Sequence, residues 1–122
     1  MMPRMSFSAL HRRLLVLPAL LALAACCDNE ILTVSPSPDG ARKAVVFMRN
    51  CGATTGFNTQ VSIIPAHTPA PRGEGNALVV DGWHTLHLHW RDNDELEIGD
   101  YGSARVFHQA GTAGDVHLHF VP

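Results

Sequence analysis

Apolar and polar positions follow two different rules along this chain. Residues 14 to 25, "LLVLPALLALAA", carry no charged or strongly polar side chain. From residue 31 onward the apolar positions come in short clusters parted by turn chemistry. "ILTV" (31–34) leads into "SPSPDG", where Pro38-Asp39-Gly40 suits a tight turn: proline presets φ and glycine accepts a positive one. "RKAVVFM" (42–48) and "TQVSII" (59–64) are rich in β-branched and aromatic residues, which pack well on a pleated surface. Between them "NCGATTGFN" reads as a loop. "PAHTPAPRGEGN" (65–76), with three prolines and two glycines, reads as an irregular surface loop.

The second half alternates. "ALVVDG" predicts a short strand. In "TLHLHW" (85–90), Leu86, Leu88 and Trp90 share one face and Thr85, His87 and His89 the other. "RDND" is a polar turn into "ELEIGDY", where Leu96 and Ile98 share a face. "ARVFHQ" (104–109), the turn "AGTAGD" and "VHLHFV" (116–121) follow, the last with Val116, Leu118 and Phe120 opposite His117 and His119. No useful stretch after residue 25 has helical periodicity. The pattern predicts an all-β domain of seven or eight strands, a small antiparallel meander forming a sandwich or partly open barrel, preceded by a helical signal segment.

Composition bounds the rest. At 122 residues there is room for one domain. "MMPRMSFSALHRR" supplies Arg4, Arg12 and Arg13 and no acid ahead of the apolar run, the layout of an export signal. The run falls short of the roughly 20 residues a membrane-spanning helix needs, and Pro18 interrupts it. Leu23-Ala24-Ala25-Cys26 resembles a bacterial lipobox. That resemblance implies cleavage before Cys26 and a diacylglycerol on its sulfur, so residues 1–25 are the expected lipoprotein signal peptide and 26–122 a single lipid-anchored β domain. Each buried methylene contributes about 0.8 kcal/mol, and two or three acyl chains hold where one is marginal. Cleavage by general signal peptidase near Ala22-Leu23-Ala24 is the plainer alternative. The chain from Cys26 onward has six basic residues against 11 acidic ones, a net charge of −5. Such a surface disfavours a nucleic-acid partner.

The three cysteines then divide. If Cys26 carries lipid, Cys27 and Cys51 remain as an even pair in an exported protein, where oxidation is favoured. A bridge would close a loop of about 25 residues, worth on the order of 3.5 kcal/mol. Two unpaired thiols are the bland alternative, and a nucleophilic Cys51 a third, although the sequence singles out no histidine as its base.

The run "SPDGARKAVVFMRNCGATTGFNTQVSI" (37–63) resembles a family of short bacterial lipoproteins of unknown function, which share an "SPDG…KAVVF…CGATT…TQVSI" core shortly after a lipidated cysteine. The resemblance covers about a third of the mature chain. It implies the anchor and the cysteine pair and brings no catalytic residue.

Two "H-L-H" steps carry the remaining chemistry. On a strand, residues i and i+2 face the same way about 6.5–7 Å apart, close enough for two imidazoles to share a metal. Were the two strands neighbours in register, His87, His89, His117 and His119 would form a candidate zinc or copper site. The competing reading is that these histidines are the solvent side of amphipathic strands. His84 has the parity of Leu86 and so points away from the pair. Asp92, Asp94, Glu95 and Glu97 lack the spacing and glycine of an EF-hand and read as a solvated turn. "GATTG" lacks the lysine and helix of a P-loop, and Thr54 and Thr55 are expected to bond backbone within the loop. The sequence therefore predicts a non-enzymatic lipoprotein of the bacterial cell envelope. It would be held to a membrane by its N-terminal lipid, face the periplasm, and act as an interaction or structural module on an envelope partner. Metal binding by the paired histidines is the alternative.

Overall fold

The computed structural model describes residues 27–52 and 56–122, and within them regular structure is β-strand throughout. The leader, Cys26, Thr54 and Thr55 lie outside the described residues. Nine strands are formed: β1 (Asp28–Pro36), β2 (Arg42–Asn50), β3 (Asn58–Pro65), β4 (Leu78–Asp81), β5 (His87–Asp92), β6 (Glu95–Gly99), β7 (Val106–Gln109), β8 (Thr112–Ala113) and β9 (Val116–Val121). They make two sheets of order β1-β2-β3-β4-β7 and β5-β6-β9-β8, packed face to face and not closed into a barrel.

The first sheet is antiparallel throughout, with β1 to β4 joined in order and β7 added beside β4. Its opening turn is fixed by side chains as well as backbone. Ser37 Oγ donates to Asp39 Oδ1 at 2.7 Å, Ala41 N donates to the same oxygen at 3.0 Å, and Arg42 N donates to Ser37 Oγ at 3.1 Å. These bonds answer the backbone groups a tight turn would leave open. The chain leaves this sheet through residues 82–86 to make the β5–β6 hairpin, returns through 100–105 to add β7, and leaves again to place β8 and β9. Because β9 arrives by that long crossover, it pairs with β6 in parallel, with Leu96 beside Leu118 and Ile98 beside Phe120. A plain meander allows only antiparallel neighbours, so this pair departs from the expected arrangement. The turn from β8 to β9 is a two-residue loop, Gly114-Asp115, with φ of 52° and 64°. Both values are positive, as the tightest hairpin turn requires.

Between the sheets lies one apolar core, in which Val46, Val61, Ile63, Leu78 and Val80 of the first sheet meet Leu96, Ile98, Val116 and Leu118 of the second. Trp90 packs against this core and donates from Nε1 to Ser35 O at 3.1 Å, fastening β5 to β1. The other face of the first sheet is buried too. Val45, Phe47, Gln60 and Ser62 point away from the second sheet and are almost fully covered. Their cover is the proline-rich segment 65–77, which is tied down rather than loose. Gly75 N donates to Gln60 Oε1 at 2.7 Å, Asn76 Nδ2 donates to Ile63 O at 2.9 Å, and Asn29 Nδ2 donates to Gly73 O at 3.2 Å. Gly75 is needed here, because a Cβ would lie 2.7 Å from Val61 O and 2.9 Å from Leu78 O. Burial on both faces explains why "KAVVFM" shows no alternation: a strand covered on both sides reads as a continuous apolar run.

Candidate functional site

Two regions hold the residues singled out from the sequence: one end of the sandwich and the outer face of the second sheet. At the first, the β1–β2 register pairs Asp28 with Asn50, so the next position outward sets Cys27 opposite Cys51. Their Cα atoms are 4.2 Å apart and the sulfurs are bonded. The bridge seals the open end of a hairpin whose other end is the Ser37–Arg42 turn. Cys51 is therefore no free thiol, and its reading as a nucleophile falls.

Several connections gather at this same end. Gly82 N donates to Phe57 O at 2.9 Å, and Thr59 Oγ1 donates to Gly82 O at 2.7 Å while accepting from His84 N at 3.0 Å. Asp81 N donates to Arg105 O, and Gly102 N donates to Pro122 O, which brings the 100–105 crossover and the final residues to the same rim. His84 is occupied locally: its Nε2 lies 2.7 Å from Asp81 O, and it precedes β5, so strand parity does not govern its ring. Beside this segment His84 joins Leu32, Thr33, Val46, Trp83, Thr85 and Leu86 in lining an open cleft of about 230 Å³. A second cleft, of about 340 Å³, sits at the far end around Ala41, Arg42, Ile64 and Asp115.

On the outer face of the second sheet the alternation is as the sequence implied, with His87, His89, His117 and His119 turned from the core. The two H-L-H strands, however, are not neighbours. β6 lies between β5 and β9, so His89 pairs across to Glu97 and Glu97 to His119. Each glutamate takes partners of its own. His119 Nε2 lies 3.2 Å from Glu95 Oε1, and Glu97 accepts from Arg91 Nη2 at 2.9 Å with His87 Nε2 at 3.8 Å. The hydrogen bond from Arg91 is the main reason the Glu97 carboxyl sits below its ordinary value, with desolvation opposing it. His87 and His89 stack with centroids 6.3 Å apart. What results is a ladder of alternating imidazole and carboxylate. The four imidazoles are not brought together, because a strand of glutamates divides them. Among the described residues, the His, Cys, Asp and Glu groups with mutually close ligand atoms are Asp92, Asp94 and Glu95, within 4.8 Å on the exposed β5–β6 turn. Their proximity has an electrostatic cost. The hydrogen bond shared with Asp92 raises the Asp94 carboxyl and lowers that of Asp92.

The sequence reading missed the intervening glutamates as partners of the histidines, and also the exposure of Phe57 and Trp83. Alternation in "ELEIG" already put Glu95 and Glu97 on the solvent side; only the strand order was beyond it. No helix among the described residues is long and apolar enough to cross a membrane. Compared with protein-family models, curated proteins and solved structures, the chain matches none.

Proposed function

We propose that this protein is a lipid-anchored lipoprotein of the bacterial cell envelope, facing the periplasm, whose β domain serves as a non-enzymatic interaction or structural module. The observation that carries the reading is the Cys27–Cys51 bridge, formed immediately after the lipobox-like Leu23-Ala24-Ala25-Cys26. A disulfide at that position belongs to an oxidising compartment, and it leaves Cys26 as the one cysteine for a thioether. The likeness of residues 37–63 to short lipoproteins points the same way. Metal capture by His87, His89, His117 and His119 draws less support, since β6 sets Glu97 between the pairs.

The test is chemical. Mass spectrometry of the protein from its native membrane is expected to find an N-terminal Cys26 bearing diacylglycerol, and Cys26→Ser is expected to release the domain from the membrane fraction. An unmodified Cys26 in membrane-extracted protein refutes the anchor.

A further inference from the structure

The exposed large apolar side chains are unevenly spread. Among the described residues they are Ile31, Val34, Phe57, Trp83, Val106, Phe107 and Val121. Ile31 and Val34 lie along the edge strand β1. Phe107 lies within the opposite edge strand, β7, under the Arg105 guanidinium. The register sets Phe57, Trp83, Val106 and Val121 toward one end of the sandwich, the end closed by Cys27 and Cys51. Arg49 pairs with Asn58 and Asn58 with Asp81, so Phe57 and Gly82 continue the row that holds Asn50 and Asp28. Trp83 follows Gly82. On the far side of that row Asp81 N bonds Arg105 O, which brings Val106 to the rim, and Gly99 pairs with Val121 at the matching end of the second sheet. Phe57 and Trp83 are 64% and 69% exposed, against a core in which Phe47 is wholly covered.

The opposite end is of another kind. It holds the Ser37–Arg42 turn, the Asp92–Glu95 turn and the Gly114-Asp115 turn, joined by Asp39 N donating to Asn93 Oδ1 at 2.9 Å and by Arg42 approaching Asp115 at 3.9 Å. Asp39, Asp92, Asp94, Glu95 and Asp115 stand there with Arg42, Lys43 and Arg91. At the cysteine end acids and bases are mixed, with Arg49 and Arg105 standing among Asp28, Asp81 and Asp100.

We propose that the cysteine end is a bilayer-docking surface, in which Trp83 and Phe57 enter the headgroup region of the membrane that receives the Cys26 lipid. The inference rests on the lipid-anchor reading, which fixes the occupant: Cys27 is one residue from the acylated position, so whatever the acyl chains enter lies directly against this rim. Tryptophan and other amphipathic or aromatic rings are favoured at the membrane–water boundary, and Trp83 and Phe57 are the most exposed large apolar side chains among the described residues. Docked in this way, the domain stands with its turns away from the bilayer and with the His–Glu ladder on its flank.

The experiment uses the full lipidated protein reconstituted in vesicles of phosphatidylethanolamine with a minor share of phosphatidylglycerol. With Trp90→Phe leaving Trp83 as the fluorophore, vesicle binding is expected to shift the emission to shorter wavelength. Phospholipids brominated on the acyl chains are expected to quench it, and aqueous iodide to lose access. Hydrogen exchange on the unaltered protein needs no substitution. Relative to the protein held in a neutral detergent, residues 56–57, 82–86 and 100–105 are expected to slow on vesicles, while the turns at 37–41 and 92–94 are unchanged. Protein that floats with the vesicles while Trp83 remains open to iodide and those segments exchange at their detergent rate overturns the docking surface and leaves the anchor standing. Protein that does not float overturns both. Self-association abolished by Trp83→Ser would instead assign this end to a second copy of the chain and also overturn the proposal.

Discussion

The two sheets differ in how many of their faces see water. The first is covered on one side by the second sheet and on the other by the 65–77 segment, so Val45 and Phe47 are as deeply buried as Val61 and Leu78. The second is covered on one side only, and its outer side is a field of imidazoles and carboxylates. Stability is therefore concentrated in the first sheet, and latitude for side-chain chemistry in the second. A strand sandwiched between two layers has no position to spare for a polar group without a partner, whereas the outside of a one-sided sheet tolerates nearly any.

The contrast can be broken most forcefully at Phe47. Phe47→Ala removes a fully buried ring from beneath the 65–77 cover and is expected to cost about 3–5 kcal/mol in denaturant unfolding. A loss under 1 kcal/mol would mean that this face is not a true second core. Replacing both Cys27 and Cys51 by serine is expected to cost about 2–5 kcal/mol, seen as a lower thermal midpoint, with hydrogen exchange accelerating first at Asp28–Ile31 and Met48–Asn50. Gly75→Ala forces a Cβ against Val61 O and Leu78 O and is expected to cost about 1–3 kcal/mol, with the 65–77 segment becoming sensitive to protease.

On the second sheet the same measurements are expected to show little. His89→Ala and His119→Ala each remove an exposed or half-exposed side chain whose pairings are solvent-screened, and unfolding free energies are expected to stay within about 0.5 kcal/mol. A zinc titration of the same variants sharpens the comparison: tight binding lost in either would make the outer face a ligand site after all. The smallest effect is at Asp39. Its carboxyl is held below the ordinary 3.8 by hydrogen bonds from Ser37 and from Ala41 N, so its contribution is complete above the unfolded value and is lost as pH falls through the lower folded one. Asp39→Asn is thus expected to be slightly less stable than the parent at neutral pH, and the gap to close on acidification.

The legibility of each feature in the sequence follows from the range over which its cause acts. Alternation in "TLHLHW" and "VHLHFV" is local, and it correctly assigned the inner and outer side of β5 and β9. The turn at Pro38-Asp39-Gly40 is local as well. The Cys27–Cys51 pairing was legible because, with Cys26 set aside for lipid, an even count left one partner for each. Nothing local reports which strand lies beside which. The insertion of β6 between the H-L-H strands comes from a crossover that leaves the sheet and returns, and so does the parallel β6–β9 pair. The two-residue β8 is too short to have any period. "PAHTPAPRGEGN" was legible as irregular, but its role as a cover depends on Gln60 and Ser62, two polar residues on a buried face that bond its backbone. Phe57 and Trp83 were obscured for the opposite reason: an aromatic residue beside a strand is most often core, and only the fold shows these two facing outward.

The bridge at the end of the first hairpin also has a mechanical meaning. Force applied at residue 27 would load the ladder bonds of β1, an edge strand with a neighbour on one side only, and would peel them in sequence. The Cys27–Cys51 bond passes that load at once to β2, which is held by strands on both flanks and by layers on both faces. Tension at the N-terminus is thereby delivered to an interior strand instead of an edge one.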